Sequence, residues 1–241
     1  SEDLTKAYSY FMQNTMFPIN DSILSEVKYS PFAYDKHAKL FYTDDITSPS
    51  KDRGKFIDES IDLVKKILDI SQGKALILFT SKADMNAVYT RLKALNLNYT
   101  LIKQNEISSQ QQLIYKFKQD VNSVLLGTGV FWEGISIEGI ALSNLIIYKL
   151  PFPLPEPIIN EKCKRSKNPL EEVLVPEMII KLKQGVGRLI RNKTDKGIVS
   201  IIDSRLGDKS KASYKEKVWQ ALPIKQRTNS LKELQSFYDN L

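Results

Sequence analysis

The segment at residues 184–191 reads QGVGRLIR and carries two arginines, Arg188 and Arg191, three positions apart. Pro176 suits the first turn of a helix, so we predict a helix that begins near it and runs through the segment. On such a helix both guanidinium groups project from one face. A planar guanidinium can neutralise the charge that builds on a γ-phosphate during its transfer. The alternative is a surface helix with two solvated arginines.

Two glycines, Gly185 and Gly187, lie within the same predicted helix. A glycine inside a helix costs about 1 kcal/mol relative to alanine. We therefore expect another backbone or a ligand to approach the helix closely at these positions, where a side chain would obstruct it.

Small polar residues follow two short apolar runs. Thr80 and Ser81 come directly after residues 75–79, and Thr128, with a glycine on each side, follows residues 124–126. Hydroxyl side chains and free backbone N–H groups at a strand end can hold a phosphate. Flanking glycines let the backbone approach a polyanion. These positions predict contacts with a phosphate-containing ligand.

The elements that must position these residues are short apolar strands separated by helices. The predicted strands lie at residues 39–42, 75–79, 99–102, 124–126, 144–150 and 198–202. Of the predicted helices between them, one ends near residue 71 and two others cover residues 83–95 and 108–118. Nearly continuous apolar strands alternating with helices indicate a mainly parallel sheet with helices on both faces. We therefore predict a three-layer, doubly wound α/β domain, with ligands beyond the carboxyl ends of its strands.

Composition and charge limit the partners, metal sites and cellular location that we expect for this protein. The net charge of +7 is compatible with a polyanionic partner or with a solubilising surface. The densest basic cluster, Lys162, Lys164, Arg165 and Lys167, is either a phosphate-facing patch or a solvated loop. One cysteine and one histidine make a disulfide or a metal site unexpected. No apolar run approaches the roughly 20 residues of a membrane span, and the first residues lack a signal pattern, so we expect a cytoplasmic protein.

The segment at residues 184–191 resembles motif VI of superfamily 2 helicases, in the form typical of the DinG/XPD branch and closest to DinG. Further segments resemble that branch in the same order along the chain: SPF at 30–32, motif IV at 75–81, motif V (GTGVFWEGI) at 127–135, KLPFP at 149–153, IDSRL at 202–206 and ALP at 221–223. The resemblance implies a RecA-like second helicase lobe over residues 51–241. Residues 1–50 would be an irregular lead-in from the preceding lobe, packed on the domain.

For the nucleotide, the resemblance implies that Arg188 and Arg191 act as arginine fingers and that Gln184 bonds the nucleotide or a neighbouring motif. Three more residues, Gly187, Glu133 and Gly134, are expected to line the ATP site. Asp203 precedes Arg205 by two positions, and we expect only a structural ion pair there.

For nucleic acid, the resemblance implies that Thr80, Ser81 and Thr128 contact the backbone of single-stranded DNA. Gln104 matches a family glutamine after a strand and is assigned to the same surface. Trp132 could stack on a base or could belong to the core.

The sequence also departs from the family pattern. It contains neither a phosphate-binding G-x-x-x-x-G-K-[ST] loop nor an acidic box. We therefore expect most ligands of ATP and Mg²⁺, and any iron–sulfur cluster, in a first lobe that acts as this lobe's partner, and we interpret the chain as a fragment that is inactive alone. Ser136 stands where the family usually has an aspartate, which puts the coupling of ATP turnover to DNA movement in question.

Three alternative functions are compatible with these sequence features. The first is the second lobe of an ATP-dependent DNA helicase. The second is a nucleic-acid-gripping module of a DinG-like 3′–5′ exonuclease with weak or no helicase activity. The third, an unrelated doubly wound enzyme, is disfavoured because the glycine-rich dinucleotide loop is missing.

Overall fold

The structure is a computed structural model that describes residues 34–105, 109–132, 142–190 and 194–241, together with residues 8, 11, 12 and 15. The chain divides into two compact units, Ser1–Phe32 and Ala33–Leu241. In the first unit, the hydroxyl of Thr15 donates a hydrogen bond to the carbonyl oxygen of Phe11 at 2.9 Å. The second unit carries the elements described below.

In the described part of the chain, seven strands form one sheet in the order β3-β4-β2-β5-β6-β1-β7, and every pair is parallel. The strands are β1 Ala38–Tyr42, β2 Ala75–Phe79, β3 Leu101–Lys103, β4 Val124–Thr128, β5 Asn144–Tyr148, β6 Gly197–Ile202 and β7 Arg227–Thr228. The predicted parallel α/β architecture is confirmed. The strand expected at residues 39–42 is β1, which pairs with β6 and β7 inside the sheet.

Helices connect and cover these strands. They are α1 Arg53–Ser71, α2 Lys82–Ala94, α3 Gln110–Gln119, α4 Pro157–Arg165, α5 Val175–Val186, α6 Lys215–Ala221 and α7 Leu231–Asp239. Shorter helical segments are the α-helical turn Tyr34–His37, the π-helical turn Leu170–Leu174 that leads directly into α5, and the 3-10 turns Gly129–Phe131 and Ser204–Leu206. No helix among the described residues combines the length and apolar character needed to cross a membrane.

The core lies on both faces of the sheet. Successive residues of a strand point to opposite faces, so Ile77 and Phe79 of β2 join the apolar cluster formed with α1, α2 and α7. Leu78 points the other way and lies next to Gly185 of α5. The two apolar layers explain why β2 is entirely apolar and why β4, β5 and β6 are mostly apolar.

Local chemistry sets the ends of the helices. The carboxylate of Asp52 accepts a hydrogen bond from the Lys55 backbone N–H at 3.0 Å and begins α1. The hydroxyl of Ser81 accepts one from the Asp84 N–H at 3.3 Å and begins α2. Side chains with short oxygens are favoured at this position because they satisfy an otherwise unpaired backbone donor.

The predicted helix through residues 184–191 is shorter than expected. α5 ends at Val186, with Gly187 as its cap, and Arg188 lies in the following turn, where its backbone N–H bonds the Gly185 carbonyl at 2.9 Å. Arg191 lies outside the described residues. The prediction that Arg188 lies within the helix is therefore wrong, and Leu189 and Ile190, which follow it, are buried. The placement of Arg188 and Arg191 on one face stays a prediction.

The basic cluster also differs from the loop considered above. Lys162, Lys164 and Arg165 occupy the last turn of α4, and only Lys167 follows the helix. Each of the three helical cations lies within 4.0 Å of a glutamate, Glu161 or Glu177, so much of their charge is balanced locally.

The contact between α5 and Trp132 gives a stability prediction. A Cβ at Gly185 would lie 2.7 Å from Cζ3 of the fully buried Trp132 indole. We expect Gly185→Ala to lower the free energy of unfolding by about 1–3 kcal/mol, because the rigid indole cannot move aside. Urea denaturation followed by circular dichroism measures this change.

Gly54→Ala is the matched control, since Gly54 is also helical and its nearest atom, the Asp52 carboxylate oxygen, would lie at an ordinary 3.5 Å. This variant should keep or gain stability, by up to about 1 kcal/mol. Equal effects of the two substitutions would contradict the close contact.

Candidate functional site

Four neighbouring strands, β4, β2, β5 and β6, end at the same level of the sheet, and β3 ends beside β4 with Lys103 opposite Leu126. The register pairs Thr128 with Phe79, Phe79 with Tyr148, and Tyr148 with Ile202. The polar residues at or just after these ends, in their order across the sheet, are Gln104, Thr128, Thr80, Lys149 and Asp203. Adjacent strands lie about 4.8 Å apart, so the parallel sheet collects side chains that are far apart in the sequence into one row.

At one end of the row, the structure brings Gln104 and Thr128 together. The side-chain oxygen of Gln104 accepts a hydrogen bond from the Thr128 backbone N–H at 2.6 Å and from the Thr128 hydroxyl at 3.0 Å. The backbone of Gln104 is itself fixed, because its N–H donates to the Leu126 carbonyl at 2.9 Å. The two residues form a small polar unit at the tips of β3 and β4.

The next residue along the chain, Gly129, opens the loop to solvent. Its φ of +51° lies in the left-handed region, which favours glycine. Apart from its two chain neighbours, none of the described residues has an atom within 4 Å of the position that a Cβ would occupy there. A ligand can therefore approach the backbone beside Thr128.

Thr80 and Gln184, predicted for different ligands, line the same pocket. It has a volume of about 330 Å³ and lies between the end of β2, the loop after β5 and α5. Gln184 is exposed on the last turn of α5, and Thr80 is half-buried. Ser81, by contrast, uses its hydroxyl as the acceptor that begins α2.

The first turn of α2 carries a buried carboxylate that sequence reasoning missed. Asp84 is 1% exposed, and it pairs with Arg53 of α1 at 2.6 Å and with Lys149 after β5. Lys149 has a φ of 72°, a backbone conformation that costs a residue with a side chain about 1 kcal/mol or more. The spacing of Ser81 and Asp84 fits a capping motif, which could have indicated Asp84, but the charged partners of Asp84 lie in distant segments.

A second buried carboxylate holds the same loop from the other side. Asp203 is fully buried, accepts the Leu150 N–H at 2.9 Å, and pairs with the Arg205 guanidinium through contacts of 2.9 and 2.6 Å. Burial alone would lower the pKa of Arg205, but the hydrogen bonds and charge of Asp203 outweigh it and raise that pKa. The Arg205 guanidinium also lies 5.1 Å from the centre of the Phe152 ring. The expected ion pair is confirmed.

Trp132 belongs to the core in this structure. It is fully buried, and its indole N–H donates to the Phe79 carbonyl at 2.8 Å. Its assignment to nucleic-acid binding is therefore corrected, because neither face of the ring is open to a base. Of the two alternatives predicted for Trp132, its place in the hydrophobic core is the one that the structure supports.

The predicted nucleotide residues are only partly described. Arg188 is half-buried, and its Nε donates to the Trp132 carbonyl at 3.1 Å. Gly187 caps α5 between Gln184 and Arg188. The other residues of this prediction, Glu133, Gly134 and Arg191, and also Ser136, lie outside the described residues.

The donor types at the end of α5 suit phosphate oxygens. An amide and a guanidinium supply N–H donors, whereas Mg²⁺ requires oxygen ligands. Among the described residues, no group of three or more His, Cys, Asp or Glu side chains is arranged to hold a metal ion.

Comparisons with known proteins identify the family of the chain. A family model described as the helicase C-terminal domain matches residues 64–225. The chain is 33% identical over 227 residues to the ATP-dependent DNA helicase YoaA of Haemophilus influenzae, covering 91% of this chain and 34% of that protein. It is 33% identical over 216 residues to the 3'-5' exonuclease DinG of Bacillus subtilis, covering 85% of this chain and 22% of that protein. The chain thus spans about a third or less of the length of these two relatives.

Solved structures share the fold. An XPD helicase superposes with a TM-score of 0.61 at 22% identity, covering 79% of this chain and 35% of that one. Dbp5 of S. cerevisiae bound to RNA and ADP BeF3 superposes with a TM-score of 0.57 at 16% identity, covering 86% of this chain and 45% of that one. At these identities the similarity establishes the RecA-like α/β fold alone.

The Asp203 pair gives a prediction for the loop after β5. We expect Asp203→Ala to lower the free energy of unfolding by about 3–5 kcal/mol, because it leaves the Arg205 charge buried without a partner. Asp203→Asn should fall between this variant and the wild type, since it can still accept the Leu150 N–H. Chemical denaturation measures both changes.

Asp45→Ala serves as the control. Asp45 pairs with Lys209 at 2.7 Å, but their side chains are 82% and 76% exposed. An exposed ion pair contributes little, so stability should not change measurably. If the Asp203 and Asp45 variants behaved alike, the buried pair would not hold the loop.

Proposed function

Because the chain belongs to the helicase C-terminal domain family, we propose that it is the second motor lobe of an ATP-dependent DNA helicase of the DinG type. One observation carries the proposal: the parallel sheet places the motif IV and motif V residues Thr80 and Thr128 on neighbouring strand ends. Gln184 of motif VI lines the same pocket as Thr80. A first RecA-like lobe, holding most ligands of ATP and Mg²⁺, would be the partner of this edge.

In the proposed mechanism, Gln184, Arg188 and Arg191 contact the phosphates of ATP from this side, with Gly187, Glu133 and Gly134 beside them. ATP, when bound, supplies the phosphoryl group that is transferred to water. The guanidinium groups neutralise the charge that develops on that group in the transition state. The bond from Arg188 Nε to the Trp132 carbonyl fixes where its guanidinium lies, which supports a positioned arginine.

The single-stranded DNA backbone would cross the tips of β2 and β4, where Thr80, Ser81 and Thr128 supply hydroxyl and backbone donors, with Gln104 beside them at β3. Three neighbouring strand ends span about 10 Å, so one backbone segment can reach all of them. Contacts of this kind position a strand without reading its sequence. This agrees with a motor that must move along any DNA.

A second function is supported by one specific similarity. The Bacillus subtilis relative is named a 3'-5' exonuclease, and Ser136 replaces the acidic residue usual in motif V. In this alternative the lobe grips DNA for a nuclease and turns over ATP weakly or not at all. ATPase activity of the intact protein, measured with and without single-stranded DNA, separates the two functions.

The arginine fingers can be tested directly. We expect Arg191→Ala to lower the kcat of DNA-stimulated ATP hydrolysis in the intact protein by about 10³-fold or more, and Arg188→Ala to lower it substantially. Because a finger acts mainly in the transition state, KM for ATP should change far less than kcat.

Arg91→Ala is the matched control, since Arg91 forms an exposed pair with Asp58 on α1 and faces away from the strand ends. Its turnover should equal that of the wild type. Unchanged turnover in the Arg191→Ala variant would rule out this assignment.

The DNA surface can be tested by salt titration. Binding of a fluorescein-labelled oligothymidylate should weaken with salt, with a slope of about −0.7 in log–log form for each phosphate that is neutralised. Thr128→Val should weaken binding by about tenfold or more, through loss of a hydrogen bond to a charged group. The salt slope should stay the same, because the hydroxyl carries no charge.

Thr90→Val, an exposed position on α2, should leave both quantities unchanged. A wild-type protein that does not bind the oligonucleotide at low salt would contradict the DNA surface altogether.

A further inference from the structure

The Gln104–Thr128 unit has an unusual feature: both donors of one threonine converge on one oxygen atom. The Thr128 backbone N–H and hydroxyl reach the Gln104 side-chain oxygen at 2.6 and 3.0 Å. These are the two kinds of donor that proteins direct at a phosphate oxygen. The acceptor they find is a neutral amide oxygen from the neighbouring strand end.

The local backbone does not require this arrangement. Thr128 stands at the start of the turn Gly129–Phe131, a position where a threonine hydroxyl commonly accepts a hydrogen bond from the turn. Here the side chain makes no such capping bond. The hydroxyl points across to β3 instead, and it acts as a donor to Gln104.

The geometry points to Gln104 as a stand-in for a phosphate. We propose, on the basis of the function proposed above, that a backbone phosphate of single-stranded DNA displaces the Gln104 side chain and takes over both Thr128 donors. Gln104 then acts as a built-in competitor of DNA and makes no contact of its own in the bound state. This replaces its assignment as a DNA-contacting residue.

Burial explains why such a competitor would be present. Thr128 is only 6% exposed, and a buried donor without a partner is costly. Gln104 satisfies both donors while DNA is absent. A phosphate oxygen is anionic and accepts stronger hydrogen bonds than an amide oxygen does, so it can displace Gln104, although at some loss of affinity. Gly129, open to solvent beside Thr128, leaves room for the approach.

The expected effects of two substitutions at Gln104 have opposite signs. Gln104→Ala removes the competitor and should tighten binding of a labelled oligothymidylate about three- to tenfold, the equivalent of one or two released hydrogen bonds. Gln104→Glu keeps the acceptor geometry and adds a negative charge where the phosphate must lie. It should weaken binding by about tenfold or more at neutral pH.

A double-mutant cycle with Thr128→Val identifies the atoms involved. In that background the hydroxyl is gone and only the backbone N–H still donates to Gln104, so the tightening by Gln104→Ala should become smaller by the hydroxyl's share. Gln111→Ala is the matched control, because Gln111 is exposed on α3, and its affinity should equal that of the wild type. Thermal melting of each variant confirms that it is folded, and the near-isosteric Gln104→Glu retains a test if the alanine variant unfolds.

The outcomes are distinct. Weaker binding by Gln104→Ala that persists in the Thr128→Val background would make Gln104 a direct DNA contact and overturn the inference. Unchanged binding in both Gln104 variants would overturn it as well, while leaving the proposed function intact. If the wild type binds no single-stranded DNA, the proposed function fails first and the inference fails with it.

Discussion

Parallel strand pairing is the constraint on which the rest of this molecule depends. Each strand must return through a helix before the next begins, so every loop that follows a strand emerges at the same edge. The register of β4, β2, β5 and β6 brings Thr128, Phe79, Tyr148 and Ile202 to one level. Residues as far apart in the sequence as Phe79 and Ile202 therefore lie at one edge because of the pairing, and their spacing in the sequence has no direct meaning.

Two buried aspartates hold the loop after β5 in place at this edge of the sheet. Asp84 pairs with Lys149, and Asp203 accepts the next backbone N–H, that of Leu150. The loop after β5 is thus held by one carboxylate from each side, although Lys149 has an unfavourable backbone conformation. A buried ion pair adds little net stability over an apolar pair, but breaking it is costly. Such pairs therefore suit a loop whose position matters more than its stability.

Residue patterns predicted the sheet well because its strands are buried on both faces. The continuous apolar run of β2 has no other stable location, and its predicted bounds match the observed ones. The site was less predictable. The sequence alone left two places open for Trp132, the hydrophobic core and a ligand-contacting surface. The core place depends on Gly185, far along the chain, which leaves space for the indole ring. The end of α5 depended on where Leu189 and Ile190 are buried, and the Asp84 pairs join three distant segments. Local patterns carry none of this information.

Trp132 connects the end of β2 with the end of α5. Its indole N–H binds the Phe79 carbonyl at the end of β2, its ring fills the space left by Gly185 of α5, and its carbonyl accepts from Arg188. The residue before Thr80 and the arginine after α5 are therefore attached to the same buried residue, the first through the indole N–H of Trp132 and the second through its backbone carbonyl. A shift of Arg188 towards a nucleotide would have to move the Trp132 backbone or break this bond. Because packed cores resist continuous deformation, the strand ends and the arginine are expected to move as one body, which is what the proposed link between nucleotide turnover and a DNA track requires.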